Sequence, residues 1–83
     1  MDKEQIIKEL IEIITPYVPE KDLIDNIDES KELINDLHIN SAHIVDIVLD
    51  VEEKYDIMID DDAIGKMNTV GESVSMILEK IKS

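Results

Sequence analysis

Residues 36–57 read DLHINSAHIVDIVLDVEEKYDI, and the fold turns on this stretch. Asn40 is a preferred helix N-cap, because its side-chain oxygen can accept a backbone N–H of the first turn. From Ser41 onward the apolar residues recur at helical spacing, so a helix is expected from Ser41 to Lys54 or Tyr55. At about 100° per residue, with Ser41 at zero, Ile44, Ile47, Val48, Val51 and Tyr55 gather between about 240° and 340°. That arc is the expected buried face. Asp46, Asp50 and Glu53 form an acidic ridge at about 120° to 180°. Val45, Leu49 and Ala42 lie between Ser41 and the ridge, with Glu52 close by in angle. An apolar strip rimmed by carboxylates has what a docking surface for a basic partner needs: burial from the Val and Leu, steering from the acids. Three plainer readings compete. They are a core wide enough to cover Val45 and Leu49, a ridge that is only solvated, and a Ser41 that is only a helix-start residue.

Outward from this helix the pattern is all helical. Ile6, Ile7, Leu10, Ile11, Ile13 and Ile14 predict a first helix from about Lys3 to Thr15, stopped by Pro16. Between Pro16 and Asn40, Val18, Leu23, Ile24, Ile27, Leu33, Ile34 and Leu37 are too many apolar residues for a disordered linker. That segment reads as a long ordered loop pinned to the core, with room for short helical turns. IDDDAIGKM carries a short helix signal, with carboxylates at the positive helix end and Gly65 soon after. Thr69 and Glu72 stand in capping-box spacing before a stripe of Val70, Val74, Ile77, Leu78 and Ile81, and Lys80 and Lys82 suit its C-terminal end. The expected fold is an all-α four-helix bundle of three longer helices and one short one, with a long first loop. A single domain over residues 1–83 is expected.

Composition narrows the function classes. The chain has 83 residues, 43% hydrophobic and 2% aromatic, so the core must be aliphatic. With no cysteine there is no disulfide framework and no thiolate metal site. Any thiol chemistry has to come from something attached to the protein. Asp and Glu number 21 against 8 basic residues, all lysines, for a net charge of −13. Such a field repels nucleic acid and anionic membranes and draws basic protein surfaces. The opening MDKEQIIKELIEIITP is interrupted by Lys8, Glu9 and Glu12, so neither a signal peptide nor a membrane span is expected, and a cytoplasmic monomer is.

Catalytic and metal readings fail on spacing. Ser41 lacks the G-x-S-x-G elbow, and His38 and His43 have no evident orienting third group. With Asp60 as the first position of a calcium loop, Asp62 and Gly65 fit, but Ile64 and Gly71 stand where acidic ligands are required.

The run DLHINSAHIVDIVLDVEEKYDIMIDDDAIGKMNTVGESVSMI, residues 36–77, resembles the acyl carrier protein family, whose hallmark is DSL at the start of the second helix. Leu37 matches the leucine four residues before the family's modified serine, and Ser41 matches that serine. Val45, Val48, Glu52, Glu53, Tyr55, Asp56, Ile57 and Ile59 follow the family's cadence, and Thr69–Val70 match the TV that opens the last helix. The resemblance implies that a phosphopantetheinyl transferase attaches 4′-phosphopantetheine from coenzyme A to Ser41. An acyl or polyketide chain would then ride as a thioester on the arm, passed among acyl-transferring, condensing and reducing enzymes with basic surfaces. It implies a carrier and not an enzyme, with Ala42, Val45, Asp46, Leu49, Asp50, Glu52 and Glu53 as the docking residues. Four positions depart from the family: Asn40 for Asp, Ala42 for Leu, His38 for glycine and His43 for an acid. These departures point to a specialised biosynthetic pathway. A general fatty-acid carrier is the alternative, and an unmodified acidic adaptor is the alternative from another class.

Overall fold

A computed structural model describes residues 2–82; Met1 and Ser83, the ends of the expected domain, lie outside the described residues. Helix α1 spans Lys3–Ile14 and ends in a 3₁₀ turn over Thr15–Tyr17. A short α2 spans Lys21–Asp25, α3 spans Ser41–Tyr55, α4 spans Asp61–Ile64 and α5 spans Val70–Lys82. The expected bundle is present, and its long first connection contains α2. Within that connection Val18, Leu33 and Leu37 are buried, Leu23, Ile24 and Ile27 pack partly against the core, and Ile34 is exposed.

Each long helix turns one apolar stripe inward. The core joins Ile6, Leu10 and Ile14 of α1 to Ile44, Ile47, Val48 and Val51 of α3 and to Val70, Val74, Met76 and Ile77 of α5. Tyr55, expected in the buried arc, is only half-buried because its ring ends in a polar group. Its hydroxyl donates to Glu9 Oε1 at 2.6 Å, tying the end of α3 to α1. That bond, helped by one from Gln5, holds the Glu9 carboxyl below its usual range. Burial and then Glu9 itself push the Tyr55 phenol upward. Buried Ser73 of α5 is satisfied by donating to the Thr69 carbonyl at 2.9 Å.

The connection between α2 and α3 is held by backbone bonds to the start of α5. Leu33 N–H donates to Asn68 O at 2.9 Å, Val70 N–H to Lys31 O at 3.0 Å and Gly71 N–H to Glu29 O at 2.9 Å. A Cβ on Gly71 would lie 3.1 Å from both Glu29 O and Glu29 Cβ, so the closeness of this seam depends on glycine. The seam, with Leu37 and Ile39 each 1% exposed, fixes where the chain enters α3.

Candidate functional site

The start of α3 is built from three neighbouring devices. His38 adopts φ 57°, the left-handed region, and turns the chain between buried Leu37 and buried Ile39. Asn40 is the N-cap: its Oδ1 accepts the Ala42 N–H at 2.9 Å, and its carbonyl accepts the His43 N–H at 2.8 Å. Ser41 is the first residue of α3, exposed, and takes no part in the cap. No acidic residue occupies the first turn of α3, so none of its own first-turn side chains offsets the positive helix end. A serine-linked phosphate would therefore meet free space and a favourable helix end. These residues fit such a group.

Of the sequence-predicted docking residues, Ala42, Val45, Asp46, Leu49, Asp50 and Glu53 are all exposed on α3. Val45 is 55% and Leu49 is 56% exposed, so the core does not wrap around to cover them. Glu52 differs. It is half-buried, and its Oε2 accepts the Ile59 backbone N–H at 2.7 Å, which straps the following loop to α3. That loop leaves the helix through Asp56, also left-handed at φ 54°, and presents Met58 at 82% exposure.

Two features escaped the sequence. The Glu52 strap joins an acid to a backbone group that no pattern announces. The other is Tyr17, which closes the 3₁₀ turn after α1 and lies against the acidic edge of α3. Its ring sits 5.1 Å from the His43 ring, tilted by 39°, and its hydroxyl donates to Asp50 Oδ2 at 3.4 Å. Burial, then the charges of Asp50 and Asp46, raise the Tyr17 phenol and keep it protonated. The His43–Asp46 approach, Nδ1 to Oδ2 at 3.4 Å, has the three-residue spacing that a helical wheel shows. The Tyr17 contact spans 33 positions, and no local signal reports it.

Among the described residues no helix is long and apolar enough to cross a membrane. No protein-family model matches the chain. An acyl carrier protein from an Exiguobacterium species is 35% identical over 98% of this chain and 100% of its own length. One from Thermotoga maritima is 33% identical over 89% of this chain and 94% of its own. The fold matches a solved structure of the Enterococcus faecalis acyl carrier protein with a TM-score of 0.78, 24% identity, and coverage of 96% of this chain and 99% of that one. Relatives above 30% identity along nearly the whole length show that the chain belongs to the acyl carrier protein family, whose members are carriers rather than enzymes and bear a covalent 4′-phosphopantetheine on a serine.

Proposed function

We propose that this protein carries acyl or polyketide intermediates as thioesters on a 4′-phosphopantetheine arm attached to Ser41. The observation that carries the reading is an exposed serine at a helix start whose capping work is done by its neighbour Asn40. Ser41 has no structural task, and its hydroxyl is open to a modifying enzyme. The arm supplies the thiol that this cysteine-free chain lacks. Partner enzymes with basic surfaces dock on Ala42, Val45, Asp46, Leu49, Asp50 and Glu53, with Glu52 at the edge of the patch. Val45 and Leu49 offer apolar burial beside the arm. The carboxylates speed encounter and leave it reversible, which passing cargo between enzymes requires.

Co-expression with a phosphopantetheinyl transferase should raise the intact mass by one arm. Ser41→Ala should abolish that gain and leave the circular dichroism spectrum nearly unchanged. Modification that persists at Ser30, Ser73, Ser75 or Ser83 would overturn the assignment. Association with the transferase should slow as salt rises, since exposed charges are screened over about 8 Å at physiological ionic strength. A rate indifferent both to salt and to Lys at Asp46, Asp50 and Glu53 would leave the ridge as plain solvation.

The pathway is a specialised one on this reading, supported by the departures at His38, Asn40, Ala42 and His43. Restoring the family's residues with Asn40→Asp and Ala42→Leu should change which transferase works best. The added leucine carbons bring at most about 2 kcal/mol of burial against a partner, more than tenfold in a rate. Equal rates with transferases from several pathways would favour a general fatty-acid carrier.

A further inference from the structure

The family resemblance makes His43 a departure, an imidazole ring where the family's pattern has an acid. The structure gives it company. The Tyr17 and His43 rings are 5.1 Å apart, and each lies beside one carboxylate: His43 Nδ1 is 3.4 Å from Asp46 Oδ2, and Tyr17 O–H donates to Asp50 Oδ2 at 3.4 Å. Both contacts are long, and the side chains of His43 and Asp46 are 47% and 55% exposed. The Tyr17 phenol cancels none of the carboxylate charge, and each carboxylate keeps spare acceptor sites. Asp46 and Asp50 stand one helical turn apart on the same face, so one cation can face both.

We propose that Tyr17, His43, Asp46 and Asp50 form a corner of the docking surface that selects an arginine from the basic partner over a lysine. The inference rests on the docking reading given under the proposed function. A guanidinium is planar, offers donors along several edges and stacks on aromatic rings. An ammonium has the same charge but no face. The paired carboxylates take the donors and the Tyr17–His43 pair supplies the ring surface beside them. This corner reaches past α3 onto the 3₁₀ turn, so it reads partner features that the Val45–Leu49 strip does not touch.

The test titrates the full chain, followed by NMR, with an oligo-arginine peptide and an oligo-lysine peptide of equal length. The arginine peptide should bind about two- to fivefold more tightly, the range expected of an exposed cation–ring contact, and should shift the Tyr17 and His43 ring signals. Tyr17→Leu should remove the preference. Equal affinity for the two peptides would overturn the inference, as would a preference that survives Tyr17→Leu. Intact mass after transferase treatment of the same samples keeps the two readings apart. Loading at Ser41 without an arginine preference sinks only this corner, whereas failure to load sinks the carrier reading.

Discussion

Two helix entrances in this molecule are built to opposite ends. The start of α5 is sealed. Thr69 Oγ1 accepts the Glu72 N–H and Glu72 Oε1 accepts the Thr69 N–H, both at 3.1 Å, the reciprocal pair of a capping box. Val70 is fully buried, and the backbone of residues 68–71 is bonded to that of residues 29–33. The start of α3 is presented. Asn40 supplies a single side-chain cap, and Ser41, Ala42 and His43 all face solvent. Its anchorage lies behind it, in buried Leu37 and Ile39. Helix propensity does not separate the two entrances; what backs each one does. A hydroxyl that another enzyme must reach belongs on an edge held from behind, so that its own side chain is free of structural work.

If the open entrance is held only from behind, removing that support should do the most damage. Leu37→Ala should cost about 2–5 kcal/mol in chemical denaturation, the usual range for deleting a fully buried leucine. The seam to α5 sits close by, so loss should not stay local. Hydrogen exchange should speed at the Leu33 and Val70 amides, which bond across that seam. A loss under 1 kcal/mol would mean that Asn40 alone suffices to place Ser41.

A smaller effect compares the two entrances directly. Thr69→Ala breaks one half of the capping box and should cost about 1 kcal/mol. Ser41→Ala should fall within about 0.5 kcal/mol of zero, as for a surface position without a partner. Equal losses in paired denaturation curves would erase the distinction between a sealed entrance and a presented one.

Much of this contrast was legible in the sequence wherever it depends on near neighbours. Asn40, the Thr69–Glu72 box and the stripes of α1, α3 and α5 are local patterns, because caps and helical periodicity act within a turn or two. The seam between residues 29–33 and 68–71 was not legible, since it joins backbone groups across the chain and leaves no periodicity. Helix α2, five residues long, is too short to show a stripe. At the candidate site, Ser41 and its strip could be read from a wheel. Tyr17 beside His43 could not, because its position depends on how the 3₁₀ turn after α1 meets α3.

A change of opposite sign, a gain in stability, concerns His38, which brings the chain to the open entrance. Its φ of 57° lies where a Cβ crowds the backbone, and non-glycine residues there carry about 1–2 kcal/mol of strain. The family resemblance puts glycine at this point, the residue that takes such a conformation without penalty. His38→Gly removes the strain but also frees the unfolded chain, and that entropy offsets about 0.4–1 kcal/mol of the gain. The His38 side chain is exposed, so little packing is lost with it. The two terms leave a net stabilisation between zero and about 1.6 kcal/mol, read as a shift of the urea midpoint at unchanged slope. Because Leu37 and Ile39 still anchor the segment, loading of Ser41 should keep its rate. A destabilised His38→Gly variant would show that the side chain, and not the buried leucine and isoleucine around it, holds the turn before α3.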